Sequence, residues 1–137
     1  MTTSRHDDIE SRIADAVLAI TGSSLSSMTE ILRGLGDELA NTRPDLPGAN
    51  SPYAIVFHCV AVIEHWAGSA IAGLKIPRDR AAEFTASGRV DDLITRVDDV
   101  QARLPEWVEV GLHEGIRDRT VMGSTRPEVA NASAEWV

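Results

Sequence analysis

Residues 52–74 read PYAIVFHCVAVIEHWAGSAIAGL, and this stretch decides the fold class of the chain. Its apolar side chains recur at spacings of three and four residues, which is the period of an α-helix. Ser51 is a suitable N-cap, Pro52 suits the first helical turn, and Pro77 marks the end. The most apolar part, residues 53–63, is shorter than the roughly 18–20 residues that a membrane span requires. We therefore predict a core helix and no membrane-spanning segment.

Two further segments show the same helical period, residues 6–41 and a segment that begins near Arg89. Residues 21–24, TGSS, are weak helix formers, but the apolar stripe keeps its phase across them, so one long helix is favoured over two. Pro105 is expected to kink or end the later helix. The apolar positions are Ile9, Ile13, Val17, Ile20, Met28, Ile31, Leu35 and Leu39 in the first of these segments, and Leu93, Val97, Val100 and Leu104 in the second.

Three amphipathic helices with short connections predict an all-α protein, an up-down helical bundle that forms a single domain over residues 1–137. The helical period fades after Gly115, and we expect residues 116–137 to be a loosely ordered tail. A fourth helix would close the core better than three. That helix is either missing or supplied in another way, for example by a partner subunit.

The amino-acid composition limits which classes of function this chain can have. Hydrophobic residues make up 43% and charged residues 25% of the 137 residues, which is typical of a globular protein. The net charge of −8 argues against nucleic acid and anionic lipid as partners, because both attract basic surfaces. Cys59 is the single cysteine, which excludes an intramolecular disulfide and fits a reducing compartment. The first ten residues lack the apolar stretch of a secretory signal, so a cytoplasmic protein is expected.

His58 is the most informative polar residue of the second helix. On a helical wheel with Ile55 at zero, the imidazole falls about 60° to one side of the apolar stripe, facing the bundle at its edge. A buried imidazole needs a partner, which can be a divalent metal or a hydrogen-bonding group inside the bundle. Spacing alone favours the hydrogen-bonded alternative. His65 is two turns away, about 10 Å, so one metal cannot bridge the two rings and further ligands must come from other helices.

The other candidates are weaker. His113 and Glu114 are more typical of a solvated helix end than of a ligand pair, and His6 of a solvated N-terminus. Cys59, in the middle of the stripe, is predicted to be a buried small hydrophobe and not a nucleophile. No catalytic or cofactor-binding residue can therefore be named from spacing.

Lys75, Arg78 and Arg80 form a cluster of cations in an otherwise acidic chain. They could hold the carboxylate of a ligand. Local ion pairs with Asp79 and Glu83 are the alternative, and we favour these pairs.

The order of several short motifs resembles a known family. These motifs are Asn50-Ser51-Pro52-Tyr53, Phe57-His58-Cys59-Val60, Glu64-His65-Trp66 and Arg78-Asp79-Arg80-Ala81-Ala82-Glu83-Phe84. Together they are similar to the actinobacterial branch of the DinB-like superfamily, which contains mycothiol-dependent transferases and the N-terminal domain of maleylpyruvate isomerase. The resemblance covers residues 9–104.

The resemblance implies a four-helix bundle, often a homodimer, in which three histidines bind a divalent metal, commonly zinc or nickel. His58 matches the first of these histidines, and the other two lie four residues apart on the fourth helix of relatives. There the metal activates a low-molecular-weight thiol for S-transfer or for isomerisation of a small-molecule substrate, by stabilising the thiolate. A metal-dependent thiol transferase or isomerase-like protein is thus one expectation.

This sequence contains no HxxxH and ends at Val137, where relatives begin the fourth helix. We expect that a longer form supplies the two histidines, or that this is a natural variant without the metal site and inactive in this form. The alternative function is a non-catalytic helical dimerisation domain without metal, with Leu93, Val97 and Val100 near or across the interface.

Overall fold

The computed structural model describes residues 4–134, and its regular structure within that range consists only of helices. The predicted all-α class is therefore confirmed. The three main helices are α1 (Arg5–Ala40), α2 (Pro52–Ile63), which continues directly into a π-helix (Glu64–Ile71), and α4 (Val90–Glu114). The shorter elements are α3 (Arg80–Glu83), α5 (Arg119–Thr125) and a 3₁₀ turn (Pro127–Val129).

The long helix α1 begins with a capping box and runs through residues 21–24, as predicted. The Ser4 hydroxyl accepts a hydrogen bond from the Asp7 amide (3.2 Å), and the Asp7 carboxylate accepts one from the Ser4 amide (3.1 Å). The helix is interrupted only near its end, where Gly36 has φ 75° and ψ 175°. Because a side chain would be strained at this φ, glycine is the residue that allows the kink.

Helices α1 and α4 lie antiparallel, as contacts along their length show. Asp37, near the end of α1, accepts a hydrogen bond from the Val90 amide at the start of α4 (2.8 Å). Further along, the Gln101 amide donates to the Gly22 carbonyl (3.1 Å). Arg89, the N-cap residue of α4, provides no side-chain cap, so Asp37 performs that role from another helix.

The face of α1 that packs into the core differs from the predicted stripe. Leu25 and Leu32 are buried, and Leu18, Met28 and Leu35 pack against the core cluster. Most of the predicted positions are instead exposed, namely Ile9, Ile13, Val17, Ile20, Ile31 and Leu39. The prediction for the N-terminal half of α1 was wrong because the stripe there borders an open apolar groove, opposite Val62 and Trp66, and is not packed against another helix.

The buried face of α2 also differs from the predicted stripe. Val56 and Val60 are buried, whereas Ile55, on the opposite side, is 49% exposed. Periodicity could not orient this helix, since nearly all of its residues are apolar. The consequence is that His58 lies on a flank of α2 and does not face the bundle core.

Helix α4 supplies the most regular part of the core. Pro105 neither ends nor divides the helix, which continues to Glu114. Its predicted apolar stripe is confirmed, and Trp107, one turn later, is 2% exposed. The buried stripe residues are Leu93, Val97, Val100 and Leu104. These side chains are buried within one chain, and the expectation that Leu93, Val97 and Val100 lie near or across a dimer interface stays a prediction.

The segment predicted to be a loosely ordered tail carries regular structure from Arg119 to Val129. The amide groups of Arg117 and Asp118 donate hydrogen bonds to the carbonyls of Ile71 (3.2 Å) and Ala70 (2.9 Å). Met122 in α5 is fully buried. The sequence missed this packing because one buried methionine in a seven-residue helix gives no detectable period. The last residues of the predicted tail, 135–137, lie outside the described range.

One helix, Pro52–Ile71, is long and apolar enough to span a membrane by length and composition, with a mean hydropathy of 1.5. This differs from the sequence prediction, which counted only residues 53–63, because His58 and Glu64 interrupt the apolar run without ending the helix. Part of the segment, 44% of the most apolar window, is buried inside the fold. The core helix of a bundle has the same properties, so the observation is weak support for a membrane span.

Candidate functional site

The imidazole of His58 contacts the connector that follows the π-helix. Its Nδ1 lies 2.7 Å from Oε2 of Glu83, and its ring stacks on Phe84 with the centroids 5.5 Å apart. The His58 side chain is 35% exposed, whereas that of Glu83 is 2% exposed. His58 is thus held on one side by a buried carboxylate and remains open to solvent.

Glu83 is positioned by the short helix α3 and by Arg78. The Asp79 side chain caps α3 by accepting a hydrogen bond from the Ala82 amide (3.2 Å). Arg78 donates to both carboxylate oxygens of Glu83, from Nε to Oε1 (2.6 Å) and from Nη2 to Oε2 (3.2 Å). The predicted local pairing of the cation cluster is confirmed for Arg78 and Glu83, while Arg80 is exposed.

The charge state of Glu83 follows from these contacts. Burial has the largest effect on the pKa of Glu83 and raises it, but the hydrogen bonds and charges of Arg78 and His58 together outweigh burial. The pKa of Glu83 therefore lies below its ordinary value. An ionised carboxylate can only accept hydrogen bonds, so Nδ1 of His58 must be the donor in this contact.

A polar cavity of about 110 Å³ lies beside this cluster. Glu83 and Arg78 line it, together with a second ion pair in which Arg96 Nε donates to Glu64 Oε1 (2.7 Å). The Arg96 guanidinium also lies 4.5 Å from the centre of the Phe57 ring. His58 itself is not one of the residues that line this cavity.

The π-helix brings Glu64 and His65 to the cavity wall. Burial lowers the pKa of His65, and the neighbouring positive charge of Arg78 lowers it further, while Glu83 acts in the opposite direction. The imidazole of His65 is therefore biased towards its neutral form. Short π-helical segments occur often at functional sites, and this one was not predicted because its sequence pattern resembles that of an α-helix.

The pair of Arg96 and Glu64 was also missed by sequence reasoning. The two residues are 32 positions apart, and nothing in their local sequence links them. The contact of His58 with Glu83 was missed for the same reason. Two sequence signals pointed towards Glu83, namely the Arg78-to-Phe84 motif of the family resemblance and the expected local ion pairs of the cation cluster, but neither linked it to His58.

The described residues do not form a complete metal site of the predicted kind. His58 could provide one ligand, but no group of three or more His, Cys, Asp or Glu residues within residues 4–134 could hold a metal ion. Structural zinc sites use four protein ligands and catalytic ones three. The described residues therefore fit one corner of a metal site and not a complete donor set.

The other candidate histidines, His113 and His6, lie away from this cluster and are exposed to solvent, as predicted. His113 is 59% exposed and 4.0 Å from Glu10, and His6 is 80% exposed and 2.9 Å from Glu10. Cys59 is only partly buried, whereas a buried side chain was predicted, and burial raises the pKa of its thiol. A thiol with a raised pKa is a poor nucleophile, so Cys59 has no sign of catalytic activation.

Comparison with protein-family models matches residues 23–135 to the DinB superfamily. The chain belongs to the DinB superfamily. The matched region includes α2, the Arg78-to-Phe84 motif and α4, so His58 and Glu83 both lie within the DinB domain. No curated protein matches the chain. No solved structure matches it either.

Proposed function

We propose that this DinB superfamily protein carries out metal-dependent chemistry on a low-molecular-weight thiol of the mycothiol type, as an S-transferase or isomerase-like protein, with His58 as one metal ligand. The observation that carries the proposal is the half-exposed His58 ring, whose Nδ1 is held by Glu83. Metal-binding histidines almost always donate their second ring N–H to such a partner. With Nδ1 engaged, Nε2 is the atom of His58 that would bind zinc or nickel.

The chemistry that a bound zinc or nickel ion supplies is stabilisation of a thiolate, the reactive form of a thiol. His58 would hold one position of such an ion, and Glu83 orients the His58 ring. The remaining ligands come from outside residues 4–134, from a second copy of the chain, or from the thiol and water. The identity of the thiol rests on the resemblance of residues 9–104 to the mycothiol-dependent branch of the superfamily.

The experiment is metal analysis of the purified full chain after loading with zinc or nickel, followed by the same measurement on His58→Ala. We expect bound metal in the wild type and its loss in the variant. His6→Ala is the matched control, since His6 is exposed and distant from Glu83, and it should retain the metal. A wild-type chain that binds no metal, or a His58→Ala variant that keeps it, overturns the proposal.

A second candidate function is association without catalysis, as a homodimer. The apolar ridge of α1, formed by Ile9, Ile13, Val17 and Ile20, is 42–70% exposed at each position. It adjoins an apolar groove of about 440 Å³ whose walls include Ile13, Val17 and Trp66. Contiguous exposed apolar surface of this kind often marks an interaction site. A second copy of the chain would bury both the ridge and the groove.

Sedimentation of the full chain at micromolar concentration tests this candidate. We expect a dimer in the wild type and a shift to monomer in Val17→Lys, because the substitution places a charge on the ridge. Ile31→Lys is the control, since Ile31 is 60% exposed but is not part of the ridge. A wild type that sediments as a folded monomer contradicts the homodimer.

We also propose that the protein is cytoplasmic. The support is its composition: a net charge of −8 disfavours binding to anionic membranes, and a single cysteine gives no need for an oxidising compartment. Fractionation of cells that express the full chain, with recovery in the soluble fraction, is the expected result.

A further inference from the structure

We propose that Glu83 and Arg78 are positioning residues that hold His58 as its Nδ1–H tautomer, so that Nε2 carries the lone pair. The inference deepens the proposed function and rests on it for its biological meaning. It is carried by the chain of contacts from Arg78 through Glu83 to His58, each at 2.6–2.7 Å between the closest atoms.

The first step of the argument is the acceptor character of Glu83. Its side chain is 2% exposed and receives two hydrogen bonds from the Arg78 guanidinium. The planar guanidinium matches both carboxylate oxygens at once, which fixes the carboxylate in the ionised form and in one orientation. Because the Glu83 side chain is almost completely buried, it cannot turn towards solvent.

The second step is the consequence for the ring. An ionised Glu83 offers no proton, so Nδ1 of His58 must carry the hydrogen and Nε2 must be unprotonated in the neutral imidazole. The stack of His58 on Phe84 restricts rotation of the ring about the same contact. The ring is therefore fixed in both orientation and tautomer before any ligand arrives.

The third step concerns the unfavourable free energy of burying the Glu83 carboxylate. A purely structural role of Glu83 does not require this cost. Burial of a carboxylate is unfavourable unless it is paired, and Arg78 alone already supplies two hydrogen bonds to Glu83. The additional contact to a partly exposed imidazole determines which nitrogen of His58 can bind a ligand.

The test is the tautomer of His58 by long-range ¹H–¹⁵N correlation spectroscopy at a pH where histidine is neutral. The signals of His58 are identified by their loss in His58→Gln. We expect the Nδ1–H form in the wild type and a shift to the Nε2–H form in Glu83→Gln, because Arg78 retains the amide oxygen at the Oε1 position and the amide NH2 then faces Nδ1 of His58. Glu83→Asp keeps the carboxylate and should restore much of the wild-type pattern. Arg80→Gln, at an exposed neighbouring cation, should leave the pattern unchanged.

A wild-type His58 in the Nε2–H form overturns the inference, as does a folded Glu83→Gln with the wild-type tautomer. If Glu83→Gln does not fold, the tautomer of His58 in the wild type is by itself the test of the inference. Zinc affinity measured on the same proteins separates this inference from the proposed function. We expect it to fall about 10- to 100-fold in folded Glu83→Gln, as for other outer-shell partners. If His58 of the wild type has the Nδ1–H tautomer but the protein has no affinity for zinc, only the proposed metal-dependent function is rejected.

Discussion

The Nδ1 atom of His58 on α2 lies 2.7 Å from Oε2 of Glu83, a residue 25 positions later in the chain and almost completely buried. Arg78 holds the other side of the same carboxylate. This three-residue chain of contacts joins α2 to the connector that follows the π-helix. Its stability and its pH dependence can be tested without knowledge of any ligand.

Replacement of Arg78 by methionine should destabilise the protein strongly. Among residues 4–134, the substitution leaves the buried carboxylate of Glu83 with His58 as its one remaining side-chain partner. Removal of one partner of a buried ion pair typically costs about 3–5 kcal/mol of unfolding free energy. Urea denaturation measures the change. Arg80→Met, at an exposed cation of the same segment, should alter stability by less than about 0.5 kcal/mol, and equal effects of the two substitutions would contradict the assignment.

The stabilisation that Glu83 provides should depend on pH in a defined direction. The pKa of Glu83 is lowered in the folded protein, so its contribution is fully present above the unfolded-state pKa of about 4.3 and is lost as the pH falls through the lower folded-state pKa. The difference in unfolding free energy between wild type and Glu83→Gln should therefore be largest near neutral pH and shrink below pH about 4.3. Glu30→Gln, on the exposed face of α1, is the control. A difference that grows towards acid pH would refute the expected sign.

Gly68 in the π-helix should not tolerate a side chain. A methyl group there would lie 2.7 Å from Cδ1 of Ile76 and 3.2 Å from the Trp107 ring. Overpacking of this kind costs about 1–3 kcal/mol. Gly22→Ala is the matched control, because no atom lies within 4 Å of its added methyl, and alanine in a helix is favoured by about 0.5–1 kcal/mol. Thermal unfolding should thus shift in opposite directions for the two variants.

Asp37→Ala should weaken the junction between α1 and α4. The Asp37 carboxylate accepts a hydrogen bond from the Val90 amide, and loss of an N-cap side chain costs about 0.5–2 kcal/mol. Asp45→Ala, in the loop after α1, removes the same charge from an exposed position and should have a much smaller effect. Hydrogen exchange at the first turn of α4 should also accelerate in Asp37→Ala, and unchanged exchange there would argue against the cap.

The sequence predicted the positions of the long helices well. It predicted poorly which faces of α1 and α2 pack into the core. The α4 stripe from Leu93 to Leu104 was assigned correctly because polar residues on its other face define the direction of the core. On α2 the apolar residues surround the helix, so the pattern could not show that Val56 and Val60 point inwards and that His58 lies on a flank. Because the helical period fades after Gly115, the sequence did not indicate that Met122 is buried.

What the sequence determined by itself is therefore local: three long helices and their starts, the superfamily to which the order of motifs belongs, and the short-range pairing of Arg78 with Glu83. What only the tertiary structure decided is non-local: the capping of α4 by Asp37 and the engagement of His58 by Glu83. The physical reason is that helix formation depends on neighbours three and four residues apart, whereas a hydrogen bond across 25 or 53 residues exists only after the packing of the core has fixed the position of each helix.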